Sequence, residues 1–209
     1  MWDKLFKNAL RILDDSGLSE KEWTLGGGTA LALRFQHRES RAVDIFLSDA
    51  QYITLLTPRL NRTAAGMTDD YTEGSHFLKL RFPEGEVDFI IAPWLTQNPY
   101  EKMEVGTRVI QIETPEEIVV KKIFYRAEAL KVRDVIDIAA VYAKRSEHLL
   151  NQAPIVVSRY EDLRNRWAKL QGIYFKEVEG LKILDFELAK KAPVLFQSFL
   201  HELGKRMVG

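Results

Sequence analysis

LGGGTALALRFQHRESRAVDIFLSD, residues 25–49, contains a glycine-rich turn, a short helix and an acid-bearing strand. Three glycines follow a short apolar run that is typical of a strand, and the apolar residues 30–35 after them favour a helix. Such a turn presents backbone N–H groups at a helix N-terminus, where a phosphate group can bind. Residues 42–47 are rich in β-branched and aromatic side chains and predict a strand.

Apolar periodicity extends this pattern along the rest of the chain. It predicts helices over residues 2–16, 49–60, 116–145, 155–170 and 187–207, strands over 76–82, 87–92 and 108–112, and a loop over 63–74. Within the helix over 116–145, a break near Lys131 is left open. The fold class is therefore α/β (α+β), a small mixed sheet with flanking helices and a helical C-terminal region. We expect a core domain over residues 1–115 and a helical region over 116–209 that completes an active-site cleft.

The composition excludes several classes of protein. Cysteine is absent, which excludes disulfides, thiolate nucleophiles and Cys-ligated zinc. No apolar run approaches the roughly 20 residues of a membrane span, and the N-terminal helix pattern has no uninterrupted apolar segment typical of a signal peptide. We therefore expect a soluble, cytoplasmic protein with no membrane partner. The formal net charge is zero, so no global field attracts nucleic acid.

Two acidic residues interrupt apolar strands, Asp44 in residues 42–47 and Asp88 in residues 87–92. An acid there needs a partner, a metal ion or solvent, because burying an unpaired charge is costly. An acid at position 42 would share a strand face with Asp44, but that position is Ala42. We expect both acids to face the glycine turn and to form an oxygen-rich Mg²⁺ site, although either acid alone has an ordinary structural interpretation.

A cationic stripe is predicted on the helix over residues 116–145. If that helix is continuous, Lys122, Arg126, Arg133 and Asp137 fall within a wedge of roughly 60°. The stripe could hold nucleotide phosphates, with Asp137 orienting Arg133 through an i,i+4 pair, or it could be a solvated face with internal ion pairs. On the first interpretation, replacing Lys122 with alanine weakens NTP binding and leaves stability nearly unchanged.

The order and spacing of these residues resemble the AbiEii/AbiGii group of nucleotidyltransferase toxins, in the polymerase-β-like nucleotidyltransferase superfamily. The resemblance covers roughly residues 23–142 and joins a GGT-A-L run, an H-R-x-S box, two acid-bearing strands and a later R-D-x-x-D segment. Ala42 departs from the pattern, because the family has its first metal-binding Asp there. The matching residues are Gly27, Gly28, Thr29, His37, Arg38, Ser40, Asp44, Asp88, Lys122, Arg126, Arg133, Asp134 and Asp137.

The resemblance implies transfer of a nucleoside monophosphate from an NTP to an acceptor, either RNA (such as tRNA) or protein. It also implies Mg²⁺ or Mn²⁺ at Asp44 and Asp88, charge neutralisation by Lys122, and a toxin role with a separately encoded antitoxin. With Ala42 in place of an acid, the implied enzyme is inactive or weak. The residues implied to bind the nucleotide are Gly27, Gly28, Thr29, Arg38, Ser40, Arg126, Arg133 and Asp137.

Two further functions are compatible with the same residues. A nucleotidyltransferase fold that has lost catalysis could bind a nucleotide or RNA as a regulator, and NTP binding without turnover would indicate it. A structural interaction protein would bind no NTP in the presence of Mg²⁺. Ala42 itself is compatible with a naturally degenerate enzyme and with an Asp-to-Ala replacement that disarms a toxin.

Overall fold

Seven strands form one mixed sheet within residues 2–206, the part of the chain that the computed structural model describes. They are β1 (Trp23–Gly26), β2 (Ala42–Leu47), β3 (Tyr71–Gly74), β4 (Phe77–Phe82), β5 (Gly85–Ile91), β6 (Tyr100–Val105) and β7 (Arg108–Glu113). Their order across the sheet is β3-β4-β5-β2-β1-β7-β6. The pairs β2–β5 and β1–β7 are parallel, and the other neighbours are antiparallel.

Helix α1 (Trp2–Ser16) packs against β2 and β5 and gives the sheet its apolar core. Its buried side chains, among them Leu5 and Ile12, meet a sheet face on which β2 contributes Val43 and Ile45. Because strand side chains alternate, this packing directs the intervening residues of β2, including Asp44, to the opposite face. The packing of the apolar side chains of each central strand therefore determines on which face of the sheet its polar side chains lie.

Three more helices begin near the sheet: α2 (Gly27–Phe35), α3 (Tyr52–Leu56) and α4 (Arg62–Met67). The single helix predicted over residues 49–60 is wrong, because Thr57 is extended and ends α3. Pro58 follows, and the residue before a proline is driven out of the helical region. The loop predicted over 63–74 is also wrong, since it contains most of α4 and all of β3.

The remaining helices follow the sheet in sequence. The helix predicted over residues 116–145, for which a break near Lys131 was left open, is divided at that point: residues 127–129 form a 3₁₀ turn and Lys131 is extended. No glycine or proline marks this break. The Asp134 carboxylate accepts a hydrogen bond from the Lys131 amide, three residues before it, and caps the start of the new helix. The helices are α5 (Pro115–Arg126), α6 (Val132–Leu150), α7 (Ala153–Val156), α8 (Tyr160–Leu170), α9 (Tyr174–Val178) and α10 (Phe186–Lys205).

Two compact units divide these elements. The first comprises the described residues up to Ala30, with Ser40–Trp94 and Tyr100–Glu113, and it contains the whole sheet. The second comprises Leu31–Glu39, Leu95–Pro99 and the described residues from Thr114 onward. The predicted fold class, a mixed sheet with flanking helices and a helical C-terminal region, is confirmed, whereas the domain roles assigned to 1–115 and 116–209 stay predictions.

The described helices include none that combines the length and the apolarity needed to cross a bilayer.

Strand β6 was not expected from the sequence. Its residues, YEKMEV, carry alternating charges that hide the strand pattern, and it lies at the edge of the sheet. Edge strands commonly carry such charges, because they prevent pairing with other chains.

Replacing Gly85 with alanine should lower the free energy of unfolding by about 2–4 kcal/mol, measured by urea denaturation. Gly85 has a φ of +146°, and a Cβ there would overlap the Arg41 carbonyl that accepts the Glu86 amide hydrogen bond. Gly106→Ala is the matched control, with a φ of +64° but open space around its Cβ, and it should cost about 1 kcal/mol. Equal costs at the two positions would contradict the proposed backbone constraint.

Candidate active site

The two acids named from the sequence stand side by side on neighbouring strands. In the parallel register of β2 and β5, Asp44 is paired with Asp88, and in the antiparallel register of β4 and β5, Asp88 is paired with Lys79. Registered residues project from the same face of a sheet, so these three side chains form one row across three strands. We call Asp44, Asp88 and Lys79 the acid row.

A second row lies one strand period away. Ala42 is paired with Glu86, and Glu86 is paired with Arg81. Position 42 therefore faces a glutamate on the adjacent strand and contributes no polar atom of its own side chain. The two rows together carry three carboxylates and two cationic side chains on one face of the sheet.

The glycine turn lies directly against the acid row. Gly27 is in the left-handed region, with a φ of +62°, and a Cβ at that position would overlap the Asp44 carboxylate. Only glycine combines this backbone conformation with this close approach. The turn and the first helical residues after it are thus held beside Asp44, with the backbone of β1 paired to β2 through Gly26 and Asp44.

Lys79 is the cation of the acid row. Its Nζ lies 2.6 Å from Glu86 Oε2 and 2.8 Å from each carboxylate oxygen of Asp88. Partial burial alone would lower the pKa of Lys79, but its hydrogen bonds to Asp88 and Glu86 outweigh burial and raise that pKa. Lys79 is therefore a charged ammonium shared between two carboxylates.

Asp88 is only partly compensated by this ammonium. Burial raises the pKa of Asp88 to about 6, the Lys79 hydrogen bond opposes that change, and the nearby charge of Asp44 adds to it. Asp88 Oδ1 is buried, and its polar contact is the ion pair with the Lys79 ammonium at 2.8 Å. A buried acceptor of this kind next to a second carboxylate favours an additional cation.

These donors fit one divalent ion. Mg²⁺ binds proteins through one or two carboxylates together with waters and substrate phosphates, and Asp44 and Asp88 supply such a pair. Within residues 2–206 no group of three or more His, Cys, Asp or Glu side chains has an arrangement that could hold a metal ion. The side chains present therefore fit a two-carboxylate site, and position 42, where the resemblance implies a further acid, is alanine.

Thr29 and Ser40, for which the resemblance implies triphosphate binding, form hydrogen bonds with the protein backbone in this structure. The hydroxyls of both side chains donate to the Ala42 carbonyl oxygen, and both residues are buried. These bonds tie the first turn of α2 and the segment before β2 to the start of that strand. Neither hydroxyl proton is directed outward for a phosphate.

Asp137 is the centre of a buried charge cluster in the second unit. Arg38 donates from Nε and Nη2 to the two Asp137 oxygens at 2.7 Å each, and His37 Nε2 lies 2.7 Å from Oδ1. Lys122 Nζ is 3.0 Å from Oδ2. Burial alone would raise the pKa of Asp137, but the charges of Arg38 and Lys122 and the hydrogen bonds of His37 and Arg38 hold it well below its usual range.

Asp134 forms the other half of this cluster. Lys122 Nζ and Arg126 Nη2 each lie 2.7 Å from Asp134 Oδ1, and the second oxygen accepts the Lys131 amide. Lys122 therefore bridges two fully buried carboxylates. We call His37, Arg38, Lys122, Arg126, Asp134 and Asp137 the buried cluster.

The buried cluster corrects the predicted cationic stripe. Arg133 is exposed, and the cations that contact Asp137 are Arg38 and Lys122 in place of the predicted i,i+4 partner. Lys122 is 6% exposed and committed to two carboxylates, so its replacement cannot be neutral for stability. The physical reason is the helix break at residues 127–131, which removes the continuous face on which the stripe was drawn.

Sequence reasoning missed Lys79, Glu86 and Arg81. A usable signal existed, because Lys79 and Arg81 are two residues apart in a predicted strand, as are Glu86 and Asp88. Period-two spacing places each pair on one face. Their assignment to the face of Asp44 required the strand order and register, which the sequence does not give.

Residues 11–205 match the protein family described as "Nucleotidyl transferase AbiEii toxin, Type IV TA system". This match covers more than half of the chain. No curated protein is significantly similar in sequence to this one.

Solved structures with a similar fold include three of distant sequence. JHP933 from Helicobacter pylori is 18% identical, with a TM-score of 0.53 over 98% of this chain and 93% of its own. MenT4, a nucleotidyltransferase toxin from Mycobacterium tuberculosis, is 13% identical, with a TM-score of 0.56 over 95% and 82%. ANT(2'')-Ia, solved with adenylyl-2''-tobramycin, is 15% identical, with a TM-score of 0.55 over 75% and 97%.

Lys122→Ala should lower the free energy of unfolding by about 3–5 kcal/mol, because it leaves Asp134 and Asp137 buried with an incomplete set of cations. Urea denaturation monitored by circular dichroism measures the loss. Arg133→Ala removes the same charge from an exposed position and should change stability by less than about 0.5 kcal/mol. If Lys122→Ala is as stable as Arg133→Ala, the buried cluster contributes nothing to folding.

The difference in stability between the parent chain and Asp137→Asn should depend on pH. The folded-state pKa of Asp137 is depressed, so the stability it contributes is fully present above its unfolded pKa of about 4 and is lost as pH falls toward the folded pKa. The parent should therefore lose its advantage over the variant between about pH 5 and pH 2. Urea midpoints across this range provide the measurement, and a constant difference would contradict the assignment.

Proposed function

The chain belongs to the AbiEii nucleotidyltransferase toxin family, and we propose that it transfers a nucleoside monophosphate from an NTP to an RNA, such as a tRNA, or to a protein acceptor. The observation that carries this proposal is the acid row beside the Gly27 turn. A carboxylate pair next to a backbone turn supplies a cation site and a phosphate site in one place. Without the acid row and the Gly27 turn, only the family relationship would support the proposed reaction.

The triphosphate binds, on this proposal, at the turn formed by Gly27 and Gly28. Backbone N–H groups at the N-terminus of α2 point toward an anion there, and the absence of Cβ atoms permits a close approach. Thr29 and Ser40 act indirectly, because their bonds to the Ala42 carbonyl fix the turn against β2. The proposed role of Lys122, Arg38, Arg126, Arg133 and Asp137 toward the nucleotide rests on the family resemblance.

Asp44 and Asp88 would hold Mg²⁺ or Mn²⁺. When bound, the ion would supply positive charge for the phosphates and activation of the attacking hydroxyl. The protein itself contributes by holding the charged groups in place. The β2–β5 register keeps the two carboxylates adjacent, and Lys79 partly neutralises Asp88.

Ala42 reduces this activity on our proposal. A site with Asp44 and Asp88 but no acid at position 42 offers one metal position where the family pattern offers two. The chain should therefore bind an NTP and transfer nucleotides slowly or not at all. A separately encoded antitoxin as partner and the cytoplasm as location follow from the toxin family and belong to the same proposal.

The alternative function is that of a regulator that binds a nucleotide or RNA without turnover. Ala42 favours it, since the missing acid weakens catalysis while the glycine turn is retained. Restoring the acid separates the two functions, because a regulator that has lost catalysis through other changes would stay inactive.

Ala42→Asp should raise nucleotide transfer by at least about tenfold and restore growth inhibition, because it adds the missing carboxylate opposite Glu86. The assay measures incorporation of each labelled NTP into total cellular RNA and protein, with Mg²⁺ or Mn²⁺. Expression of the same variant in a host cell measures growth.

Asp44→Ala in the Ala42→Asp background should abolish both effects. Asp49→Ala in that background is the matched control, because Asp49 is an exposed acid beyond the end of β2. A folded Ala42→Asp protein that neither transfers nucleotide nor slows growth would favour the regulator.

A further inference from the structure

Lys79 holds an unusual place in the candidate active site. Its ammonium lies 2.6 Å from Glu86 and 2.8 Å from Asp88, so it joins the acid row to the row that contains Ala42. Lys79 reaches this point from β4, across the register pair with Asp88. The family pattern stated from the sequence gives this position no role.

We propose that Lys79 is a positioning residue, a fixed cation that takes the charge-neutralising place of a second divalent ion in a site that Ala42 has deprived of a ligand. The inference rests on the proposed nucleotidyltransferase function. Lys79 acts through Asp88 and Glu86 and does not itself react.

The charge balance of the site supports this role. Asp44, Asp88 and Glu86 carry three negative charges and Lys79 carries one positive charge, so the set has a formal charge of −2. One divalent ion neutralises it completely. A second divalent ion would meet the ammonium at close range and without an additional carboxylate ligand, which is electrostatically unfavourable.

Arg81 shows why the position of the cation matters. It lies on the same strand and face as Lys79, but its side chain pairs with Asp70 at 3.0 Å and approaches Glu86 only to 3.8 Å. Half-exposed charges at that distance are weakened by solvent. Lys79 and Arg81 therefore form a matched pair of cations, one within the acid row and one beside it.

The experiment measures Mn²⁺ binding to the full chain, without nucleotide, by electron paramagnetic resonance of the free ion. The parent chain should bind one Mn²⁺. Lys79→Met and Lys79→Gln should both tighten binding by at least about tenfold, because each removes a cation that competes with the ion for Asp88. Lys79→Arg keeps the charge and should bind within about threefold of the parent.

Arg81→Met is the matched control and should change Mn²⁺ affinity by less than about threefold. The use of two uncharged replacements, glutamine and methionine, separates charge from packing, and circular dichroism establishes that each variant is folded. Ala42→Asp should bind a second Mn²⁺, because it adds the carboxylate ligand that a second ion needs.

Unchanged or weakened Mn²⁺ affinity in both Lys79→Met and Lys79→Gln would overturn the role of Lys79. An equal effect of Arg81→Met would also overturn it, since the effect would then reflect general charge. If either outcome is found but Asp44→Ala still removes Mn²⁺ binding, the role of Lys79 fails while the metal site of the proposed function stands. If neither the parent nor Ala42→Asp binds Mn²⁺, the proposed metal site and this inference both fail.

Discussion

The in-register parallel pairing of β2 with β5 is the constraint on which the candidate site depends. It places Val43 beside Val87 on the face covered by α1, and Asp44 beside Asp88 on the other face. A slip of one residue would exchange these faces and bury carboxylates in the apolar core, which is strongly unfavourable. The hydrophobic packing that stabilises the sheet thus also fixes the spacing of the two acids.

The buried carboxylates of this protein differ in how completely nearby cations neutralise them. Asp137 is saturated by Arg38, His37 and Lys122, so its pKa falls and the group is suited to holding helices and a loop together. Asp88 shares one ammonium with Glu86 and faces Asp44, so its pKa rises. An incompletely neutralised carboxylate retains affinity for a further cation, whereas a saturated one does not. The electrostatics therefore distinguish a structural cluster from a candidate binding site.

Ala42 links the family relationship to the behaviour of this particular chain. Membership in a nucleotidyltransferase family is settled by residues 11–205 as a whole, but turnover depends on a few oxygen atoms. At position 42 the chain offers a methyl group opposite Glu86, and Lys79 balances part of the remaining negative charge. The glycine turn, Asp44 and Asp88 lie together in the structure, and the proposed nucleotide site rests on them without an acid at position 42.

The sequence by itself determined the fold class, the strand over 42–47, the glycine turn and the two acids, because each depends on residues close together in the chain. Predictions from the sequence were wrong or missing where a contact depends on residues far apart in the chain. Arg38 and Asp137 are 99 positions apart, yet their ion pair replaced the predicted pairing with Arg133. Asp134 of α6 contacts Lys122 and Arg126 of α5, and no local pattern predicted those ion pairs. Lys79 joined the acid row only through the β4–β5 register. Local periodicity reports which face of an element is apolar, but the identity of the neighbouring element is set by packing and charge pairing across the whole chain, and only the tertiary structure decided it.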